Sequence, residues 1–78
     1  MKLQVLGTGC PKCKKLYENV EKAIVEYGGD NTLEKITDIN KIVEMGAMMT
    51  PAFAINGKLM TSGKLLNVEE IKALMKKI

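Results

Sequence analysis

Cys10 and Cys13 stand three residues apart, in Cys10-Pro11-Lys12-Cys13, and they are the only cysteines in the 78-residue chain. A pair at this spacing supports three outcomes. The thiols can interconvert with a disulfide, ligate a soft metal, or pack inertly at the start of a helix. The chain contains no histidine, which removes imidazole bases, His metal ligands and every Ser/His or Cys/His catalytic pair. Zinc asks for four N, S or O ligands, so two thiolates would need carboxylates or a second chain to complete a site. Cu(I) is the better metal candidate, held by both thiolates and by Met48 or Met49.

The elements that carry the two cysteines separate their roles. Residues 2–6 alternate and are rich in β-formers, which predicts a strand ending at Gly7-Thr8-Gly9. Pro11 suits the first turn of a helix, where its missing N–H costs nothing. Cys13, Leu16, Val20, Ala23, Ile24 and Tyr27 then recur at spacings of three and four, the buried stripe of that helix. Cys13 falls on the stripe and Cys10 at the cap, where the first backbone N–H groups lack partners. Those donors and the positive end of the helix dipole lower a cysteine pKa from ~8.5 toward ~3.5–7.5. Lys12, Lys14 and Lys15 add nearby positive charge, weakened by solvent screening. Cys10 therefore reads as the exposed nucleophile and Cys13 as the sheltered, resolving thiol.

The rest of the chain supplies a scaffold. Gly28-Gly29 stops the first helix, and residues 33–37 form a weakly patterned strand. Asp38 or Asn40 caps a short helix over 41–45, with Ile42 and Val43 facing inward and Gly46 ending it. Residues 52–55 are an apolar strand after Pro51. Asn56-Gly57 is a hairpin signal that returns residues 58–61 antiparallel, before Ser62-Gly63 breaks the chain. Asn67 caps a closing helix with stripe Val68, Ile71, Leu74, Met75 and Ile78, and with Lys76-Lys77 at its negative end. The order is β-α-β-α-β-β-α: an α/β fold with a four-stranded mixed sheet and three helices, read as one domain over residues 1–78. Strands separated by helices are expected to pair in parallel, with the hairpin adding an antiparallel edge. Phe53, Tyr17 and Tyr27 are the only aromatics, so aliphatic side chains and methionines must build the core.

Charge and hydropathy exclude several classes. The net charge is +3, but the lysines are mostly interleaved with acids, as in Glu18/Lys22, Glu34/Lys35 and Glu69/Glu70/Lys72. There is no basic stripe or arginine fork for a nucleic acid. No apolar run approaches the ~18 residues that span a membrane. Residues 1–6 are too short for a secretory leader, and a cytoplasmic location is expected. There, two cysteines at this spacing read as catalytic or metal-binding before structural.

Two segments together carry a resemblance. Gly7-Thr8-Gly9-Cys10-Pro11-Lys12-Cys13 between a strand and a helix, followed by Gly46-Ala47-Met48-Met49-Thr50-Pro51-Ala52-Phe53-Ala54-Ile55-Asn56-Gly57-Lys58, resembles the thioredoxin superfamily. The similarity is to its minimal thioredoxin-like redox-active disulfide proteins, which are similar in length to glutaredoxins, and it covers essentially the whole chain. It implies a thioredoxin-like fold and a reductase of protein or small-molecule disulfides. Such a protein needs no cofactor beyond its Cys10–Cys13 disulfide and is recharged by an upstream reductase; nothing in the sequence demands more than a monomer. It assigns Thr50-Pro51 to a cis-proline loop facing the cysteines, where the Thr50 main chain can pair with an extended substrate segment. On the residues alone, Pro51 reads equally as a strand-start proline. Pro11, Lys12 and Met49 complete the implied substrate surface, with Met48 and Met49 as an apolar rim. The chain also departs from the family pattern. Gly9 replaces the Trp before the first cysteine of thioredoxins, and Pro-Lys replaces their Gly-Pro. Gln4 takes the place of a buried Asp. Residues 61–66 keep one Gly but lack the acid of a glutathione-binding stretch.

Overall fold

The computed structural model describes residues 1–9 and 11–77. Cys10 and Ile78, on which two of the expectations above fall, lie outside the described residues. The elements run β1 (Lys2–Leu6), α1 (Pro11–Tyr27), β2 (Thr32–Ile36), α2 (Ile39–Glu44), β3 (Ala52–Ile55), β4 (Lys58–Ser62) and α3 (Val68–Lys76). This is the thioredoxin-like order, with a four-stranded mixed sheet of strand order β2-β1-β3-β4.

β1 sits inside the sheet and is buried on both faces. Leu3 and Val5 point to one side, where they pack with Leu16, Val20 and Ala23 of α1, Phe53 and Ile55 of β3, and Ile71 and Met75 of α3. Leu6 points to the other, meeting Ile36, Ile42, Ala47, Ala52 and Ala54 under α2. Burying each large aliphatic chain of the first cluster stabilises the fold by roughly 1.5–3 kcal/mol. Phe53 is the one aromatic in either buried set, so close packing of Leu, Ile, Val and Met carries the core.

The strands and helices fall close to the pattern, with a few departures. β3 does not join β1 in parallel: it runs antiparallel, pairing Leu6 with Ala52 and Leu3 with Ile55, and only β1 and β2 are parallel. The reason is α2, whose six residues rise only ~9 Å. The connection therefore leaves β2 and enters β3 at the same end of the sheet. β2 begins at Thr32, one residue early, because the parallel register sets Thr32 beside Lys2. α2 starts at Ile39 behind Asp38, whose side chain accepts the Asn40 N–H, and so short a helix turns only Ile42 inward. Val43, expected to be buried, is 67% exposed. Tyr27, the last residue of α1, is likewise exposed.

Two local devices fix the ends. Asn56 and Gly57 both have positive φ, at 53° and 83°, as an Asn-Gly hairpin turn requires. The Asn56 Oδ1 also accepts the Lys2 N–H at 2.8 Å, tying the hairpin tip to β1. At α3, Asn67 Oδ1 accepts the Glu70 N–H at 2.8 Å, and the Glu70 carboxylate accepts the Asn67 N–H at 3.1 Å. This reciprocal cap also holds the Glu70 carboxyl below its ordinary pKa, the Asn67 N–H acting first and Lys64 second.

Asn67→Ala removes the side-chain half of that cap from the helix that brings Ile71 and Met75 into the core. A loss of ~1 kcal/mol is expected. In a domain of this size it lowers the thermal midpoint followed by circular dichroism by about 4–8 °C. An unchanged midpoint would show that packing alone fixes α3.

Candidate active site

The site forms at the carboxyl end of β1, where the chain leaves the sheet. Gly7 is buried and its N–H donates to the Ile36 carbonyl at 2.9 Å, extending the parallel pairing one residue past β1. α1 begins four residues later. Pro11 and Lys12 are exposed in its first turn, while Cys13 is 1% exposed. It heads the buried stripe that continues through Leu16, Val20 and Ala23.

The seat of Cys13 is the Gly7 backbone. A Cβ placed on Gly7 would collide with the Cys13 Sγ, and would stand 3.1 Å from the Cys13 Cβ and 3.8 Å from the Thr50 Cβ. The missing side chain thus lets the buried thiol lie directly on the strand end, with Thr50 on the same spot. β1, α1 and the loop before β3 converge there.

The loop is held from its far side. The Thr50–Pro51 peptide bond is cis. Pro51 is buried, and Thr50, Met49 and Met48 are exposed, Met48 at 93%. The Ser62 hydroxyl accepts the Met49 N–H at 3.2 Å and donates to the Met49 carbonyl at 3.1 Å. The Gly63 N–H donates to the Pro51 carbonyl at 2.9 Å. Gly63 has φ +71°, and a Cβ there would meet the Met49 Cβ at 2.9 Å and its Sδ at 3.3 Å. The end of β4 therefore fixes the backbone on both sides of Thr50 while leaving the side chains of Met48 and Met49 to solvent.

Of the residues expected at the site, Cys13, Thr50 and Pro51 come together around Gly7, and Met49 joins them through Ser62 and Gly63. Pro11 and Lys12 lie on the exposed start of α1, and Cys10 lies outside the described residues. Three positions went unassigned in the sequence. Gly7, Ser62 and Gly63 read there only as chain breakers, although a glycine ending a buried strand is a recognised sign of close backbone approach.

Gln4 is buried on the opposite face of β1 from Leu3 and Val5. Its Nε2 donates to the Glu34 carboxylate at 3.1 Å, and its Oε1 is buried with no partner among the described residues. The Gln4 amide, and then Lys2, hold the Glu34 carboxyl below its ordinary pKa. Among the described residues no group of three or more His, Cys, Asp or Glu side chains could hold a metal ion, and no helix is long and apolar enough to cross a membrane.

Comparison with known proteins is consistent with the fold. A family model described as a thioredoxin domain matches residues 1–76. A thioredoxin of Methanocaldococcus jannaschii is 45% identical over 74 residues, covering 95% of this chain and 85% of the relative. A thioredoxin of Methanothermobacter thermautotrophicus is 39% identical over 75 residues, covering 96% and 97%. A probable thioredoxin of the latter organism is 43% identical over 51 residues, 62% of this chain and 60% of that protein. None of these relatives lends support to the metal-carrier alternative.

Gly7→Ala tests the seat of Cys13. The added methyl forces Cys13 or the strand end to move, and overpacking of this kind costs ~1–3 kcal/mol. The urea midpoint is expected to fall with little change in slope. A variant as stable as the wild type would contradict the close approach.

Proposed function

The chain belongs to the thioredoxin family, and from that premise we propose that it reduces disulfides of protein substrates through Cys10 and Cys13. Thiol–disulfide oxidoreduction is the activity its relatives support; the assignment of steps to residues is our own reading. The observation that supports it is the burial of Cys13 against Gly7 beside Thr50, the sheltered setting that a resolving thiol needs.

The Cys10 thiolate, favoured at the start of α1, attacks one sulfur of the substrate disulfide. The substrate S–S bond breaks, a Cys10–substrate bond forms, and the departing thiolate takes a proton. Cys13, out of reach of solvent, gives up its proton and attacks the Cys10 sulfur. The second substrate thiolate leaves, and Cys10 and Cys13 remain joined. Two electrons have passed to the substrate, so an upstream dithiol reductase must return them before the next cycle. The exposed Thr50 main chain offers an extended substrate segment a strand-like partner. Met49, with Met48 beside it, offers apolar contact, and Pro11 and Lys12 border the entry. This cycle suits a monomer in the cytoplasm, where thiols are kept reduced.

Cys13→Ser removes the resolving thiol while leaving the attacking one. The variant is expected to accumulate a covalent adduct with a disulfide-bonded peptide, seen by mass spectrometry and released by dithiothreitol, and Cys10→Ser to form none. In the wild type, thiolate absorbance is expected to titrate below ~7.5. An unshifted value near ~8.5, with no trapped adduct, would remove the redox assignment.

A further inference from the structure

Two helices of this fold treat their charged residues in opposite ways. α3 follows its dipole, with Glu69 and Glu70 in the first turn and Lys76 in the last. α1 opposes its own: the first turn has no acid and the last no base, while Lys12, Lys14 and Lys15 crowd the start and Glu26 sits near the end. Cations at a helix N-terminus are unfavourable, so local stability does not explain the arrangement. Nor does any of the three form an ion pair among the described residues. Glu18 stands four residues from Lys14 and three from Lys15, spacings that favour ion pairs. Yet the ion pairs among the described residues use Lys2, Lys64 and Lys72 instead.

All three side chains are exposed. Steps of about 100° per residue set Lys12 and Lys14 on either flank of the buried Cys13 side, and Lys15 opposite it. Of the acids at this end of the sheet, Asp38 caps α2 through the Asn40 N–H, and Glu44 lies on that helix's far end. Lys64, beyond Gly63, is paired with Glu70. An approaching disulfide therefore meets three exposed lysines within the first five residues of α1.

We propose that Lys12, Lys14 and Lys15 select the partner: the disulfides this protein reduces are flanked by acidic side chains, and their encounter is electrostatically steered. The proposal rests on the redox reading above and adds the charge class of the substrate. The exchange chemistry is unchanged, with the partner disulfide reduced and the Cys10–Cys13 pair oxidised; the lysines act on encounter and orientation.

The test uses three disulfides of one scaffold: dithiodipropionate (−2), bis(2-hydroxyethyl) disulfide (neutral) and cystamine (+2). Rates of exchange with the fully reduced protein are divided by those with dithiothreitol, which cancels differences in intrinsic reactivity. At ~10 mM salt the anionic probe is expected to outpace the cationic one by about tenfold after this normalisation, converging near ~0.5 M salt as the charges are screened. The double variant Lys14→Gln/Lys15→Gln should shrink the anionic-to-cationic ratio several-fold. Because the ratio cancels any change in thiolate fraction, it reports selection and not nucleophilicity. A normalised ratio near one at every salt concentration overturns the proposal and leaves the redox reading standing. Failure to exchange with any of the three probes overturns both. The salt series on the wild type needs no variant, so misfolding of the double variant cannot hide either result.

Discussion

The close approach at Gly7 is the constraint on which the rest of the site depends. A thiol buried at the start of a helix must lie against something, and here it lies against bare backbone. With no Cβ at Gly7, the first turn of α1 settles onto the end of β1, and the same spot receives Thr50. A methyl group there would displace one of the two. Three segments far apart in sequence are thereby brought to a single point.

What was legible in the sequence was what local chemistry decides. The stripe from Cys13 to Ala23, the Asn-Gly hairpin and the Asn67 cap each follow from a few neighbouring residues, and each is present. What was not legible depended on pairing between distant segments. β3 has no residue that announces its direction; the brevity of α2 decides it, by returning the chain to the end of the sheet it left. Val43 and Tyr27 fit their helical periods but sit where no element covers them. Gly7 and Ser62 show the limit at the site. Each reads as a break in the pattern, and only the fold shows that one seats Cys13 and the other holds Met49 by both its backbone groups.

The loop before β3 illustrates a division of labour. Ser62 and Gly63 hold the main chain of Met49 and Pro51 from behind, so the loop does not depend on hydrogen bonds from the side chains of Met48 and Met49. Met48 and Met49 can therefore be soft, adaptable and exposed, while Thr50 stays fixed beside Cys13. Ser62 is well suited to this task because one hydroxyl both accepts and donates. It satisfies the N–H and the carbonyl of a single residue, as a neighbouring strand would.

The same logic bears on the lysines of α1. A chain of this length has a total stability of roughly 4–12 kcal/mol at the usual ~0.05–0.15 kcal/mol per residue. A cation in the first turn of a helix forfeits a few tenths to ~1 kcal/mol of dipole energy. That cost is tolerable beside the core, and Lys12 and Lys14 incur it in the first turn of α1. α3, made by the same chain, keeps its charges aligned with its dipole and carries no proposed site residue. The contrast is consistent with the proposed role of the lysines: the end of α3 follows its dipole, and the start of α1, where the proposed site lies, opposes it.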